Sequence, residues 1–254
     1  YQIPNVVIGT IDPFAKMAGS GIKKLIEAGK NVTIGILEDE CNELNKRFFT
    51  FHQKKRPYII LKWAESQDGF ISPREKSEQK PVWITNPYSR QLVHKWRSEE
   101  QAILAGTQTV VDDNPKLTVR DWAGSNPIRI VIDRNNRIPK ESLIFDSTAK
   151  TIIISGSALH CDAENIQFEK IDFDKNIGEQ IVSVLYEYKI QSVIIEGGRQ
   201  TLQTFIDSDL WDEARVFRGN IDLKKGTKAP VLNKKNVDKH FIGDDELLIF
   251  RNYD

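Results

Sequence analysis

The strongest local pattern for ligand binding is a short apolar run that ends in a carboxylate and two glycines. Residues 192–195 are Ser-Val-Ile-Ile, and Glu196, Gly197, Gly198 and an amphipathic stretch follow them. A helix that starts there would offer unpaired backbone N–H groups and its positive dipole end to an anion such as a pyrophosphate. A tight strand-to-helix turn without a ligand fits the same residues. Glu196 favours a ligand site, because open α/β sheets bind ligands at the carboxyl ends of their strands.

A second pattern is a set of cationic side chains spaced for one helix face. Arg90, His94 and Arg97 follow one another at intervals of four and three residues, which places them on the same face of a helix. Together with Arg120 they could present a basic patch to a phosphate group. A solvated helix face is the competing interpretation.

Polar turns follow two further apolar runs. Residues 105–115 are rich in hydroxyl and acidic side chains and end in Asp-Asn-Pro, which is typical of a turn because Asx side chains mimic backbone turns and proline fixes φ. Arg134 comes just after the run at residues 128–132. It could contact an anion, and the default interpretation is a solvated turn.

Lys62 is a basic residue near the end of a β-rich run. Its ammonium group could lie buried near a carbonyl or imine, or it could be an edge charge with a packed stem. The four histidines are scattered, and Cys41 and Cys161 have no C-x-x-C partner. The sequence therefore predicts neither a metal site nor a disulfide framework in this chain.

The composition is that of an ordinary globular protein. Of 254 residues, 39% are hydrophobic and 28% are charged, which excludes collagen-like, low-complexity and disordered classes. Lys plus Arg and Asp plus Glu each number 36, so no net field attracts a nucleic acid or an anionic membrane. No apolar run approaches the roughly 20 residues that span a bilayer, and no signal-peptide pattern is present. We therefore expect a cytoplasmic protein.

Alternating strands and helices must position these side chains. The opening predicts a strand, a helix, a strand and then one charged helix from residue 38 to about residue 54, with Leu44, Phe48 and Phe51 on its buried face. The basic run before Pro57 predicts a domain boundary after residue 55. Beyond it we predict strands at 58–62, 102–105, 128–132, 151–155, 192–195, 214–217 and 246–251, and helices at 87–100, 177–188 and 199–207. This alternation predicts a mostly parallel sheet with helices on both faces.

Five motifs occur in order over residues 56–254. They are Leu61-Lys62-x-Ala64-x-Ser66-x-Asp68-Gly69, Trp83-Ile84-Thr85, Asp113-Asn114-Pro115-x-Leu117-Thr118-x-Arg120, Ile128-Arg129-Ile130-Val131-Ile132-Asp133 and Glu196-Gly197-Gly198. In this order they resemble the reductase domain of the bifunctional riboflavin-biosynthesis deaminase-reductase family. The resemblance implies an α/β fold like that of dihydrofolate reductase, with a mostly parallel sheet flanked by helices and NADPH across the strand ends.

The resemblance also implies roles for individual residues. It places NADPH at Ala64, Trp83, Thr85, Thr109, Asp113, Arg134, Gly197, Gly198, Arg199, Gln200 and Thr201. It places the substrate at Arg97, Leu117, Arg120 and Glu196 and implies catalytic positions at Lys62 and Glu196. The side-chain chemistry agrees, since Arg97 and Arg120 suit a ribose phosphate and Arg134 suits the 2′-phosphate of NADPH. Pro81 stands where the family often has a serine.

Residues 1–55 resemble the C-terminal part of the same family's deaminase domain, which has a cytidine-deaminase-like α/β fold. The matching residues are Asp12-Pro13, Gly19-x-Gly21, Ala28-Gly29 and Leu44-Asn45-x-x-Phe48. The zinc site of that domain needs an H-A-E motif and two cysteines in a P-C…P-P-C segment, and this chain contains neither. We therefore interpret residues 1–55 as a remnant of that domain. We expect zinc only in the missing deaminase domain and no deamination by this chain alone.

The activity that the resemblance implies is reduction of 5-amino-6-(5-phosphoribosylamino)uracil. NADPH would give a hydride to C1′ of the ribosylamino group and so form the ribitylamino product. The expected partners are this small molecule and a second copy of the chain, in a homodimer through the reductase domain, with no nucleic acid and no membrane. The alternatives are another pteridine or pyrimidine reductase of the dihydrofolate-reductase type and a non-catalytic assembly module.

Overall fold

The computed structural model describes residues 3–14, 19–75, 79–160, 163–234 and 237–252, so Cys161 lies outside the described residues. The chain divides into two compact units, Tyr1–Tyr58 and Ile59–Asp254. Every predicted site residue falls in the second unit and within the described ranges.

The first unit has a small parallel sheet and three helices in its described part. Its elements are β1 (Asn5–Ile8), α1 (Ser20–Glu27), β2 (Asn31–Ile34), α2 (Glu38–Leu44) and α3 (Lys46–Lys54). The single helix predicted from residue 38 to about residue 54 is wrong, because Asn45 leaves helical geometry with φ −106° and its side-chain amide donates to the Cys41 carbonyl at 2.8 Å. Leu44, predicted to be buried, is 81% exposed, whereas Phe51 is buried.

The second unit follows the predicted alternation of strands and helices. Its strands are β3 (Tyr58–Glu65), β4 (Phe70–Pro73), β5 (Ala102–Gly106), β6 (Ile128–Ile132), β7 (Thr151–Ser155), β8 (Ile166–Lys170), β9 (Ser192–Ile195), β10 (Glu213–Arg218), β11 (Gly226–Lys228), β12 (Val237–Ile242) and β13 (Asp245–Arg251). Its helices are α4 (Pro87–Glu99), α5 (Thr107–Asp113), α6 (Ile177–Glu187) and α7 (Arg199–Asp207), with a 3₁₀ turn at Leu143–Phe145.

A nine-stranded sheet in the order β12-β13-β10-β3-β9-β5-β6-β7-β8 organises this unit. The pairs β10–β3, β9–β5, β5–β6, β6–β7 and β7–β8 are parallel, whereas the hairpin β12–β13 and the pairing of β13 with β10 are antiparallel. The mostly parallel α/β fold is therefore confirmed. No helix in the described part of the chain is long and apolar enough to cross a membrane.

The core lies on both faces of the sheet because side chains alternate along each strand. On β5, Leu104 packs into the cluster that contains α6 and α7, whereas Ile103 and Ala105 pack into the cluster that contains Val110 of α5. All four side chains are fully buried. The central strands are thus covered on both sides, which fixes the position of their carboxyl ends.

Several elements were not predicted from the sequence. The hydroxyl-rich and acidic residues 107–113 form α5 rather than part of a loop, because Val110 is buried in the core and holds the turn of helix against the sheet. Strands β4 and β11 lie where no strand was predicted, and they pair as a separate antiparallel ribbon. The edge strands β8 and β12 were also missed.

Candidate active site

A cavity of about 1240 Å³ follows the carboxyl ends of β9, β5 and β6. This is where open α/β sheets place ligands. The predicted site residues that line it are Lys62, Ala64, Trp83, Thr85, Arg97, Thr109, Asp113, Leu117, Arg120, Arg134, Glu196, Gly198, Arg199, Gln200 and Thr201. Pro81 lines it as well, whereas Gly197 does not.

A cluster of two cations and one carboxylate forms one wall of the cavity. Arg97 binds Glu196 in a bidentate pair, with Nε donating to Oε1 at 2.8 Å and a terminal nitrogen donating to Oε2 at 2.7 Å. Lys62 Nζ lies 3.9 Å from the same Oε2. The three side chains are each at most 15% exposed. Three groups that are far apart in the sequence thus meet here, because strand β3, helix α4 and the residue after β9 each contribute one of them.

Burial and neighbouring charges set the ionisation of this cluster. Burial alone would raise the pKa of Glu196, but Arg97 and Lys62 outweigh it and lower that pKa to about 2. Burial lowers the pKa of Lys62, Glu196 opposes that shift, and Arg97 adds to it. Glu196 is therefore a carboxylate, and an ammonium group at Lys62 would release its proton more readily than that of an exposed lysine.

Arg97 is consequently not a free phosphate ligand in this structure. Its guanidinium is held by Glu196 and also donates to the Thr118 carbonyl at 3.2 Å. Arg120 lines the same cavity. In the described part of the chain its guanidinium has no hydrogen-bond or ion-pair partner. Of the two arginines predicted at the phosphate, Arg120 is the one available to a ligand.

The predicted basic face of α4 is divided among three different roles. Arg90 donates to the Thr85 carbonyl at 2.7 Å and lies over the Trp83 ring at 4.6 Å from its centroid. His94 is buried, and Arg97 pairs with Glu196. The three side chains therefore do not form one free cationic patch. Arg90 instead supports the cavity wall that contains Trp83 and Thr85.

Helix α7 begins inside the cavity at a glycine with a positive φ. Gly198, at the N-cap, has φ 63°, and no side chain among the described residues caps the helix, so its first-turn N–H groups have no side-chain acceptor there. Gly197 serves the packing of the sheet, because a Cβ there would lie 2.7 Å from the Ala105 Cα and only glycine permits this close contact beside β5. The prediction that Gly197 binds the cofactor therefore has no support from its position.

Two arginines lie at the far end of the cavity, beyond β6. The Asp133 carboxylate accepts hydrogen bonds at 3.0 Å from the backbone N–H groups of residues 137 and 138, and so folds the turn after the strand. This turn places both Arg134 and Arg137 in the cavity lining. Arg134 is half-exposed, pairs with Asp174 at 3.2 Å and lies over Phe173. Arg137 was not among the predicted site residues. Its position four residues after Asp133, which is typical of a turn closed by an aspartate side chain, is the sequence signal that could have identified it.

Comparison with known proteins gives a consistent family. Residues 57–221 match the model described as RibD C-terminal domain. The riboflavin biosynthesis protein RibD of Aquifex aeolicus is 32% identical over an alignment that covers 99% of this chain and 73% of that protein. The Synechocystis protein of the same name is 34% identical over 77% of this chain and 54% of its own length. The chain thus spans between about half and three quarters of these two relatives.

Solved structures show the same similarity. A Thermotoga maritima diaminohydroxyphosphoribosylaminopyrimidine deaminase/5-amino-6-(5-phosphoribosylamino)uracil reductase superposes with a TM-score of 0.85 and 30% identity, over 98% of this chain and 71% of that one. The riboflavin biosynthesis reductase Rib7 of Saccharomyces cerevisiae has a TM-score of 0.63 and 21% identity, over 82% of this chain and 99% of that one. The second similarity is one of fold.

Proposed function

The chain belongs to the RibD C-terminal domain family, and from this premise we propose that its second unit is an NADPH-dependent reductase of 5-amino-6-(5-phosphoribosylamino)uracil. The observation that carries the proposal is the buried cluster of Lys62, Arg97 and Glu196 beside an Arg120 whose guanidinium has no partner among the described residues, all in one large cavity. A buried polar wall and a free guanidinium suit a polar substrate that carries a phosphate. The Thermotoga protein described above is named for this reaction.

The residues in the rest of the cavity fit a dinucleotide cofactor. The uncapped start of α7 at Gly198 offers backbone N–H groups and a positive dipole end to a pyrophosphate. Arg134 and Arg137 provide guanidinium groups for the 2′-phosphate that distinguishes NADPH from NADH. Trp83 and Thr85, which Arg90 supports, would hold the cofactor from the side of α4. Bound NADPH would supply the hydride.

Arg120 is our candidate for the substrate phosphate. Arg120 lines the cavity, and its guanidinium has no hydrogen-bond or ion-pair partner within the described ranges, so binding a phosphate would break no existing contact there. Arg97 acts differently in this proposal. It holds the Glu196 carboxylate in a fixed orientation, so that Glu196 and Lys62 present a rigid polar surface to the open sugar chain.

Lys62 is our candidate for the proton. In the open-chain imine form of the substrate, hydride adds to C1′, the C=N electron pair moves to the nitrogen, and the nitrogen takes up one proton. An ammonium group with a lowered pKa is a suited donor, because it loses its proton more readily than an exposed lysine does. The nearby Glu196 carboxylate stabilises the charged form of Lys62 before the transfer.

The first unit is proposed to be part of a deaminase-like domain, on the resemblance of residues 1–55. Groups of three or more His, Cys, Asp or Glu side chains arranged to hold a metal ion are absent from the described residues. The proposed reaction itself requires no metal from either unit.

A turnover assay tests the proposal. The purified chain is mixed with NADPH and 5-amino-6-(5-phosphoribosylamino)uracil, and the loss of reduced-nicotinamide absorbance is followed, with dihydrofolate as the comparison substrate. We expect oxidation with the phosphoribosylaminouracil and none above background with dihydrofolate. The opposite preference would favour a different reductase of this fold. NADPH binding without oxidation of either substrate would favour an assembly module.

A further inference from the structure

The loop that presents Arg120 is fixed to α4 at two points. Arg97 donates to the Thr118 carbonyl at 3.2 Å, and the backbone N–H of Arg120 donates to His94 Nδ1 at 3.3 Å. Leu117, which begins the loop, is buried and has a left-handed backbone with φ 52°. These contacts determine where the backbone of residue 120 lies, and therefore where its guanidinium can reach.

His94 has contacts that require one tautomer. Its Nδ1 accepts the Arg120 N–H, and its Nε2 lies 3.4 Å from an Asp121 carboxylate oxygen. A neutral imidazole with its hydrogen on Nε2 accepts at the first position and faces the carboxylate with the second. A protonated imidazole has hydrogens on both nitrogens, so it would lose the contact with the Arg120 N–H.

The surroundings of His94 favour the neutral form. The side chain is 5% exposed. Burial, followed by the positive charges of Arg97 and Arg120, lowers the pKa of His94 to about 4, against the weaker opposing effects of Asp121 and Glu196. His94 is thus neutral at neutral pH, as its contact with the Arg120 N–H requires.

We propose that His94 is a positioning residue for substrate binding: its neutral Nδ1 holds the backbone of Arg120 so that the guanidinium faces the substrate phosphate. The inference rests on the proposed function, because it takes Arg120 as the phosphate ligand. It assigns to His94 no contact with the reacting atoms. A histidine that merely fills the core beneath α4 would not require a particular nitrogen as acceptor, and this difference is measurable.

The tautomer can be tested without substrate or turnover. Imidazole ¹⁵N shifts are recorded on the full chain labelled at histidine, and the His94 signals are assigned by their loss in His94→Asn. We expect an unprotonated Nδ1 and a protonated Nε2 that persist well below the ordinary titration range of histidine. A His94 that titrates near its ordinary pKa, or that has its hydrogen on Nδ1, would overturn the inference.

Kinetics test the connection to Arg120. His94→Phe keeps a ring of similar size and removes the acceptor, whereas His94→Asn keeps a short side-chain oxygen that can accept the same N–H. We expect His94→Phe to raise the KM for the phosphorylated substrate about three- to tenfold, with a smaller change in kcat and no change in NADPH affinity. His94→Asn should recover most of that loss. His240→Asn, at an exposed position on β12, is the control.

A double variant separates this inference from the proposed function. If His94 acts through Arg120, His94→Phe should add little to the KM of Arg120→Ala. Full additivity of the two effects would overturn the positioning role. An Arg120→Ala variant with unchanged KM would show that the phosphate assignment itself is wrong, and the positioning role would fall with it. Thermal unfolding of each variant shows whether it still folds. If His94→Phe does not fold, the kinetics of His94→Asn and the ¹⁵N shifts of the wild type decide whether His94 positions Arg120.

Discussion

Replacement of Glu196 by glutamine should destabilise the second unit by about 3 kcal/mol, on the order of what loss of a buried counter-charge costs. The carboxylate accepts a bidentate pair from Arg97 and lies 3.9 Å from Lys62 Nζ. Lowering of its pKa from 4.5 to about 2 corresponds to about 3 kcal/mol of folding free energy at neutral pH. Loss of one partner from a buried ion pair costs about 3–5 kcal/mol in other proteins, which is consistent.

The glutamine variant retains the side-chain volume and one acceptor oxygen but leaves two buried cations without this counter-charge. We therefore expect a loss near the lower value, about 3 kcal/mol, or a fall in Tm of roughly 6–12 °C for a unit of this size. The assay is urea unfolding at neutral pH, with thermal unfolding as a second probe. Glu99→Gln is the control, since its partner Lys95 is on the same helix and both side chains are about 40% exposed. The unfolding free energy of Glu99→Gln should fall by less than about 0.5 kcal/mol.

The direction of the pKa shift determines how the stability contribution of Glu196 changes with pH. Because the pKa of Glu196 is lower in the folded state than in the unfolded state, its contribution is fully present above about pH 4.5 and is lost as the pH falls toward about 2. The difference in unfolding free energy between wild type and Glu196→Gln should shrink over that window. A loss below about 1 kcal/mol at neutral pH, or a difference that does not change with acidification, would refute the ion-pair account.

Three further outcomes follow from the same geometry. Arg120→Ala should raise the substrate KM about ten- to hundredfold while the NADPH KM stays the same, because a charge-assisted hydrogen bond contributes about 1.5–3 kcal/mol; a rise in the NADPH KM alone would contradict it. Arg134→Ala and Arg137→Ala should each raise the KM for NADPH and so reduce the preference for NADPH over NADH, with kcat little affected. If the ratio of the KM values for NADPH and NADH is unchanged in both variants, neither arginine binds the 2′-phosphate. Gly197→Ala should destabilise the fold by about 1–3 kcal/mol or more, because the new Cβ meets the Ala105 backbone. Gly21→Ala is the control in the unfolding assay, because a Cβ there meets no atom of the described residues within 4 Å outside its own helix and chain neighbours.

The central strands and α7 could be predicted from sequence because their apolar runs are short and bounded by turn residues. The ranges of β6, β7, β9 and α7 agree with the predicted ones. Helix α5 could not, since threonine and aspartate have weak helix propensity and its stability comes from packing of Val110 against the sheet. The edge strand β8 has only one partner strand in the described sheet, and it alternates Ile166 and Phe168 with polar residues over five positions. An alternation this short was a weak signal for a strand in the sequence.

The sequence could indicate which residues line the candidate site better than it could indicate which of them contact one another. The resemblance identified Lys62, Arg97 and Glu196, but no local pattern indicates that Arg97 pairs with a carboxylate on another element rather than with a ligand. Spacing alone could not separate Gly197, which allows two strands to approach, from Gly198, which starts a helix with positive φ. Both distinctions depend on long-range packing.

Following the hydride itself is the sharpest test of the proposed reduction. The chain is incubated with 5-amino-6-(5-phosphoribosylamino)uracil and NADPH that carries deuterium at the transferable position of the nicotinamide, and the product is analysed by NMR and mass spectrometry. We predict one deuterium per product molecule, located at C1′ of a ribitylamino chain, and a matching amount of oxidised cofactor. Deuterium elsewhere in the product, or cofactor oxidation without a ribitylamino product, would contradict the proposed reaction.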